Sequence, residues 1–379
     1  MDTIDQDQED GILLRPISRS NFLRLGGALI AGGGMLAACG QESSTTGGNT
    51  SSGAKSGGEG TPAATGIGAA DAKRVAADPT QVPPPLKHTS PKTHQVELVC
   101  TEVIGEIEDG KYFRYLTFNG QVPAPMLRVR QGDTIDLTIT NPADSHFPHS
   151  VDFHAVYGTG GGSEATTVGP GQTKHLRFKL LYPGAFIYHC AVSNLDFHIS
   201  SGMYGLILVE PPGGLTPVDH EFYLGQNEVY VVYEGAARNS LLEFDFTSMV
   251  AEDPHYVVLN GETMAITDTR YGAMKVKKGE TARVYFVNGG PNLTSSFHPI
   301  GNVWTTAWRE GAVANSPSKY LQVVGVSPGS CAVLEMEFPV PETIKLVDHA
   351  LSRYVHKGLL AVIEVEGEPE PDIFNPQPV

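Results

Sequence analysis

A histidine at 149, a cysteine at 190, a second histidine at 198 and a methionine at 203 make a donor set suited to copper. Two imidazoles, a thiolate and a weak axial thioether are the ligands of a blue-copper, or type 1, electron-transfer site. A second group of polar residues occupies the same stretch: Asp152, His154 and His189. Side chains along a strand alternate between its two faces. His189 and Cys190 are neighbours and so point to opposite faces, and Asp152 and His154 oppose His149 in parity. If Cys190 faces a copper inside the domain, the other face offers His154 and His189 as a separate imidazole metal site with the Asp152 carboxylate beside it. The blander alternative for that face is a pair of surface histidines.

The elements that must position these residues read as β-strands. Val96–Val103, Lys111–Phe118, Thr134–Thr140 and Lys174–Lys179 are β-branched, aromatic or alternating, and Gly, Pro, Asn and Asp punctuate them. Short strands at such spacing predict a β-sandwich. The pattern then repeats. Val129-Arg130-Gln131-Gly132-Asp133-Thr134 returns as Val276-Lys277-Lys278-Gly279-Glu280-Thr281, and Asn141 returns as Asn288. Tyr188-His189-Cys190 returns as Asp348-His349-Ala350. Two homologous sandwiches are expected, 90–212 and 213–366, followed by a tail over 367–379. The second copy has Ala350 in place of Cys190, and its following loop is seven residues shorter, so it lacks a type 1 site. It keeps His349 and, in Ser296-Phe297-His298-Pro299-Ile300, a further histidine that would otherwise be a hydrogen-bonded core residue.

Ahead of the sandwiches, Arg15, Arg19 and Arg24 precede a small, apolar run from Leu25 to Ala38. Its length suits the apolar region of an export signal rather than a membrane span. Leu36-Ala37-Ala38-Cys39 resembles a bacterial lipoprotein box, which implies cleavage after residue 38 and lipidation of Cys39. Residues 39–89 are rich in Gly, Ser, Thr, Ala and Pro and are expected to form a flexible tether. The protein is then an exported lipoprotein held to a membrane, on its periplasmic or outer face. The formal net charge is −16, and no basic stripe interrupts it, so nucleic acid is excluded as a partner. Cys100 and Cys331 could be bridged, but buried free thiols are the expected reading, and no Cys-x-x-Cys-His for covalent haem is present.

Over residues 90–366 the chain resembles the two-domain copper-containing nitrite reductases, most closely the short lipid-anchored outer-membrane subgroup. His-Ser-Val-Asp-Phe-His at 149–154, Ile-Tyr-His-Cys-Ala at 187–191 and Gly-Met-Tyr-Gly-Leu-Ile-Leu-Val-Glu-Pro at 202–211 carry the resemblance. Asn-Gly-Gly-Pro-Asn-Leu-Thr-Ser-Ser-Phe-His at 288–298 and Leu-Val-Asp-His at 346–349 complete it. It implies two tandem cupredoxin-like Greek-key β-sandwiches, all-β, and two coppers per chain. His149, Cys190, His198 and Met203 would bind type 1 copper, and His154, His189 and His349 type 2 copper. Asp152 and His298 would form the catalytic acid pair, with Ile300 shaping the nitrite pocket. An electron from a small redox donor, a cupredoxin or a cytochrome c, would cross from type 1 to type 2 through Cys190 and His189. Nitrite would leave as nitric oxide, with a bell-shaped pH profile from the coupled acid pair. The resemblance further implies a homotrimer with type 2 copper between subunits. The chain departs from it at Ser150, where the family has Asn, and in the proline-free loop 191–197.

Two other classes of copper protein compete with this one. A laccase-like multicopper oxidase needs His-x-His pairs, and this chain has none. A non-enzymatic blue-copper carrier would have no use for His298 and His349. Two coppers per chain mark the reductase, one the carrier and four the oxidase.

Overall fold

The computed structural model describes residues 72–377, which form two β-sandwiches. The export signal, Cys39 and the first part of the tether lie outside the described residues. The first sandwich sets a five-stranded sheet against a four-stranded one. The former runs Ser240–Leu242, Lys111–Phe118, Thr93–Glu108, Thr134–Thr140, Thr173–Lys179. The latter runs Leu127–Arg130, Tyr204–Glu210, Gly184–His189, Asp152–Phe153. The second sandwich sets a six-stranded sheet containing His220–Val229, Thr281–Gly290 and Ser330–Glu337 against a five-stranded one. That five-stranded sheet contains Glu342–Asp348 paired antiparallel with Ser295–Ile300.

Three apolar cores hold this together, one inside each sandwich and one between them. The strand Tyr204–Glu210 is buried along its whole length because it serves two of them. Ile207 and Val209 face the core of the first sandwich, and Leu206 and Leu208 face the core between sandwiches. The neighbouring strand divides in the same way. Tyr188 and Cys190 belong to the inner core, and Ala185 and Ile187 to the core between sandwiches. Removing a side chain of this size from water contributes roughly 1.5–3 kcal/mol.

The two sandwiches are less separate than the expected boundary at 212/213. Ser240–Leu242, from the second half of the chain, extends the first sandwich in parallel with Lys111–Phe113. The tether expected over 39–89 also ends earlier than the composition suggested. Val75 and Ala77 are buried, and the Val75 and Ala76 N–H groups both donate to Glu262 Oε1. Asn260 Nδ2 donates to Ala77 O at 2.9 Å. The physical reason is local: Val75-Ala76-Ala77 has no large side chain to signal burial, but its backbone finds partners on the domain. Cys100 and Cys331 are buried free thiols.

Candidate metal centres

The strand Gly184–His189 ends on the residues that carry the chemistry. Its alternation aims Cys190 into the inner core and His189 to the opposite face. Cys190 Sγ lies 3.5 Å from His198 Nδ1 and 3.9 Å from His149 Nδ1. All three residues are buried. His198 comes from the short helix Leu195–Ser200, which the loop after Cys190 folds into. Met203 is also buried in the core that holds Cys190. Its backbone is tied at both ends of the loop: Met203 N donates to His198 O at 3.0 Å, and Cys190 N donates to Met203 O at 3.1 Å. His149 is placed by paired hydrogen bonds with Val168.

Burial lowers the His149 imidazole to about 3 and the His198 imidazole to about 4, so both rings are neutral, the ligand form. Burial raises the Cys190 thiol above its ordinary range, against the opposing backbone N–H groups of Val192, Ser150 and Ala191. A dry thiol becomes a thiolate only with a cation beside it, and two neutral imidazoles aimed at its sulfur are the remaining donors a copper needs. The donor set therefore fits the metal. Ser150, at the position of the family's Asn, accepts a hydrogen bond from Ala191 N at 3.3 Å and ties the two ligand-bearing segments together.

On the opposite face, Asp152 stands across from His189 in the strand register. His154 Nε2 and His189 Nε2 are 3.1 Å apart, and Asp152 Oδ2 is 4.0 Å from His189 Nε2. His189 Nδ1 donates to Cys190 O at 3.0 Å, which leaves Nε2 with its lone pair turned to His154. The Asp152 carboxylate is held under the loop 158–162, where Gly161 is left-handed and a Cβ would collide with it.

The second sandwich places His298 and His349 together, with ring centroids 5.3 Å apart at 71°. His298 Nδ1 donates to Gln322 O at 2.6 Å. Gln322 contributes only its backbone, so no sequence signal marks it. His349 follows the buried Asp348, whose carboxylate accepts from Ser296 N and Ala350 N and pairs with Arg353. Ile300 ends the His298 strand and is partly exposed. Within one chain the ligand group on the Asp152 face comprises Asp152, His154 and His189, and His349 is not part of it. Sequence reasoning missed one further cluster among the described residues, His88, His94 and Asp133.

Two tandem sandwiches with a buried thiol–imidazole centre in the first define the class: a two-domain cupredoxin protein of the multicopper group. Residues 101–214 match the multicopper oxidase family. The chain is 44% identical over 295 residues to the copper-containing nitrite reductase of Neisseria meningitidis serogroup B, covering 78% of this chain and 74% of that one. It is 33% identical over 331 residues to that of Pseudomonas chlororaphis, covering 81% and 90%. Among solved structures, a copper nitrite reductase from Nitrosomonas europaea matches with a TM-score of 0.65 at 34% identity, over 74% of this chain and 96% of that one. The chain belongs to the copper-containing nitrite reductases.

Proposed function

We propose that this protein reduces nitrite, with one electron and two protons, to nitric oxide and water. The observation that carries the reading is the division of one strand end. Cys190 faces a buried pair of imidazoles, and His189, one peptide bond away, faces His154 on the other side. When bound at these two sets, copper supplies one-electron cycling between Cu(II) and Cu(I). The chain contributes the rest. His149, Cys190, His198 and Met203 would hold the type 1 ion, and the Cys190–His189 peptide unit joins that ligand set to the second. His154, His189 and His349 would hold the type 2 ion. Asp152 delivers a proton to the nitrite oxygen that departs as water. His298, fixed by its bond to Gln322 O, relays the second proton, and Ile300 borders the nitrite pocket.

His349 comes from a neighbouring copy in a homotrimer. Its absence from the His154 group within one chain supports this, and closed cyclic symmetry would let every copy give and receive one ligand. A small redox donor docks over the loop 191–197. There Phe197 packs on His198 and on Phe246, and Leu195, Phe246 and Val250 are exposed apolar residues. Cys39 carries a lipid that holds the exported protein to the membrane.

The test is nitrite-dependent nitric oxide production by the copper-loaded protein with a reduced artificial donor. A protein holding two coppers per chain that forms no nitric oxide would overturn the reading. Co-refolding His349→Ala with His154→Ala tests the shared site. Mixed oligomers should recover part of the activity that each variant lacks, and mixed oligomers without recovery would refute it.

A further inference from the structure

At the other end of the first sandwich, His88 Nε2 and His94 Nε2 both meet one carboxylate oxygen, Asp133 Oδ2, at 2.9 Å and 2.8 Å. The ligand atoms of all three residues lie within 4.8 Å of one another. The same oxygen also accepts the Arg130 N–H at 2.9 Å. His88 Nε2 is shared with Asp133 Oδ1 at 3.1 Å, so two imidazoles and two backbone N–H groups converge on this one buried carboxylate. Asp133 is otherwise prepared as a ligand. Its side chain is 1% exposed, and Lys92 N donates to Oδ1 at 2.8 Å. Burial pushes the Asp133 carboxyl up, but the backbone N–H groups of Lys92 and Arg130, together with the two imidazoles, win and hold it below its ordinary range. The imidazoles are 19% exposed, which leaves a path for an ion and room for water to complete its shell.

The repeat in the chain supplies an internal control. Glu280 in the second sandwich stands where Asp133 stands in the first. Glu280 Oε2 accepts the Lys277 N–H as Asp133 accepts that of Arg130, and His220 Nε2 meets Glu280 Oε2 at 2.7 Å. His94 pairs with Ile135 in parallel register as His220 pairs with Ala282, so His94 and His220 are equivalent. One imidazole on one carboxylate is therefore the shared device that locks this turn. The first sandwich adds His88, and residues 213–219 before His220 contain no histidine. A pair has become a three-ligand set.

We propose that His88, His94 and Asp133 bind one divalent transition ion, zinc(II) or copper(II), independently of the copper centres. Imidazole and carboxylate suit both ions. On binding, each ring carries its proton on Nδ1, so that the Nε2 lone pairs and Asp133 Oδ2 face the ion. The strand Thr134–Thr140 separates this site from the turn that leads to His149, a rise of roughly 20 Å. The ion would clamp the segment 86–94 onto the turn 130–134.

The copper-loaded full-length protein is titrated with zinc chloride, excess metal is removed by gel filtration, and metals are counted. One zinc per chain should be retained, lost in His88→Ala and in His94→Ala, and kept in His220→Ala. Zinc should raise the unfolding temperature of the wild type but not of His88→Ala. Zinc that displaced copper elsewhere would remain in His88→Ala, so only the His88-dependent equivalent counts. Copper(II) is tested in the same way as a third copper per chain, and His88-dependent retention of either ion supports the site. Retention of neither ion, or equal retention in the wild type and His88→Ala, overturns it. Should His88→Ala lose the blue absorbance that reports a folded first sandwich, His88→Gln keeps a donor to Asp133 without the imidazole and decides in its place.

Discussion

Each sandwich presents a crossed pair of imidazoles from two adjacent antiparallel strands. In the first, Phe153 stands opposite Tyr188, with His154 and His189 one residue beyond on either strand. In the second, Phe297 stands opposite Asp348, with His298 and His349 in the same relation. The ring pairs match as well, 5.1 Å at 79° and 5.3 Å at 71°. What differs is the surroundings of the pair. The first sandwich follows its histidine with Cys190 and a loop long enough to fold the helix that brings His198. The second follows it with Ala350 and the shorter loop to Gly358. Behind the pair, the first has Tyr188, which donates to Pro125 O, and the second has the ionic group Asp348–Arg353. Beside the pair, only the first has a carboxylate, because Ser296 takes the register position of Asp152. The comparison shows one scaffold specialised twice. One copy sets a buried thiol–imidazole group behind its imidazole pair, and the other sets the ionic group Asp348–Arg353 there.

The comparison can be broken most severely at Cys190. Cys190→Ala makes the first sandwich resemble the second at this position. It should abolish the intense visible absorbance and donor-driven turnover while copper on the imidazole pair remains, as read by the visible spectrum and copper content. Next come the groups proposed to move protons. Asp152→Asn or His298→Ala should leave both coppers bound and lower turnover by roughly 10²–10⁴, measured as nitric oxide release. Full activity in either variant removes that residue from the proposal.

The buried anchor of the turn that carries His349 is tested at Asp348. Asp348→Ala leaves Arg353 and two backbone N–H groups without their buried acceptor. Breaking such a pair should cost about 3–5 kcal/mol in denaturant unfolding. If stability is unchanged, Asp348 does not hold the His349 turn. The smallest effect is expected at Ser150, where Ser150→Ala removes the single side-chain bond to Ala191 N. A loss of about 0.5–1.5 kcal/mol is expected, with a small displacement of the visible band and both coppers retained.

Much of the site was legible because its residues are close in sequence and strands alternate with a period of two. His189 and Cys190 had to face apart, and His154 and His189 had to share a face, once the strands were recognised. The repeat was legible for the same reason: Gly132-Asp133-Thr134 and Gly279-Glu280-Thr281 are turn motifs with fixed local chemistry. Other features depend on partners that local sequence does not name. The equivalence of His154 and His298 was hidden because the stretch from Asn141 to His154 is longer than that from Asn288 to His298. Only strand register revealed it. The burial of Val75 to Ala77 was hidden because backbone groups, not side chains, make the contacts with Glu262 and Asn260.

Residue type and spacing alone singled out His149, Cys190, His198 and Met203 as a candidate donor set and determined the opposed faces of one strand, the two copies and the loss of the thiol in the second. These follow from valence, ligand chemistry and strand periodicity, which act over a few residues. Tertiary structure decided which backbone carbonyls orient His189 and His298, which carboxylate meets His88 and His94, and which ligands remain apart within one chain. Such contacts form when segments far apart in the chain are folded against each other, so their geometry is set by packing and not by any local pattern.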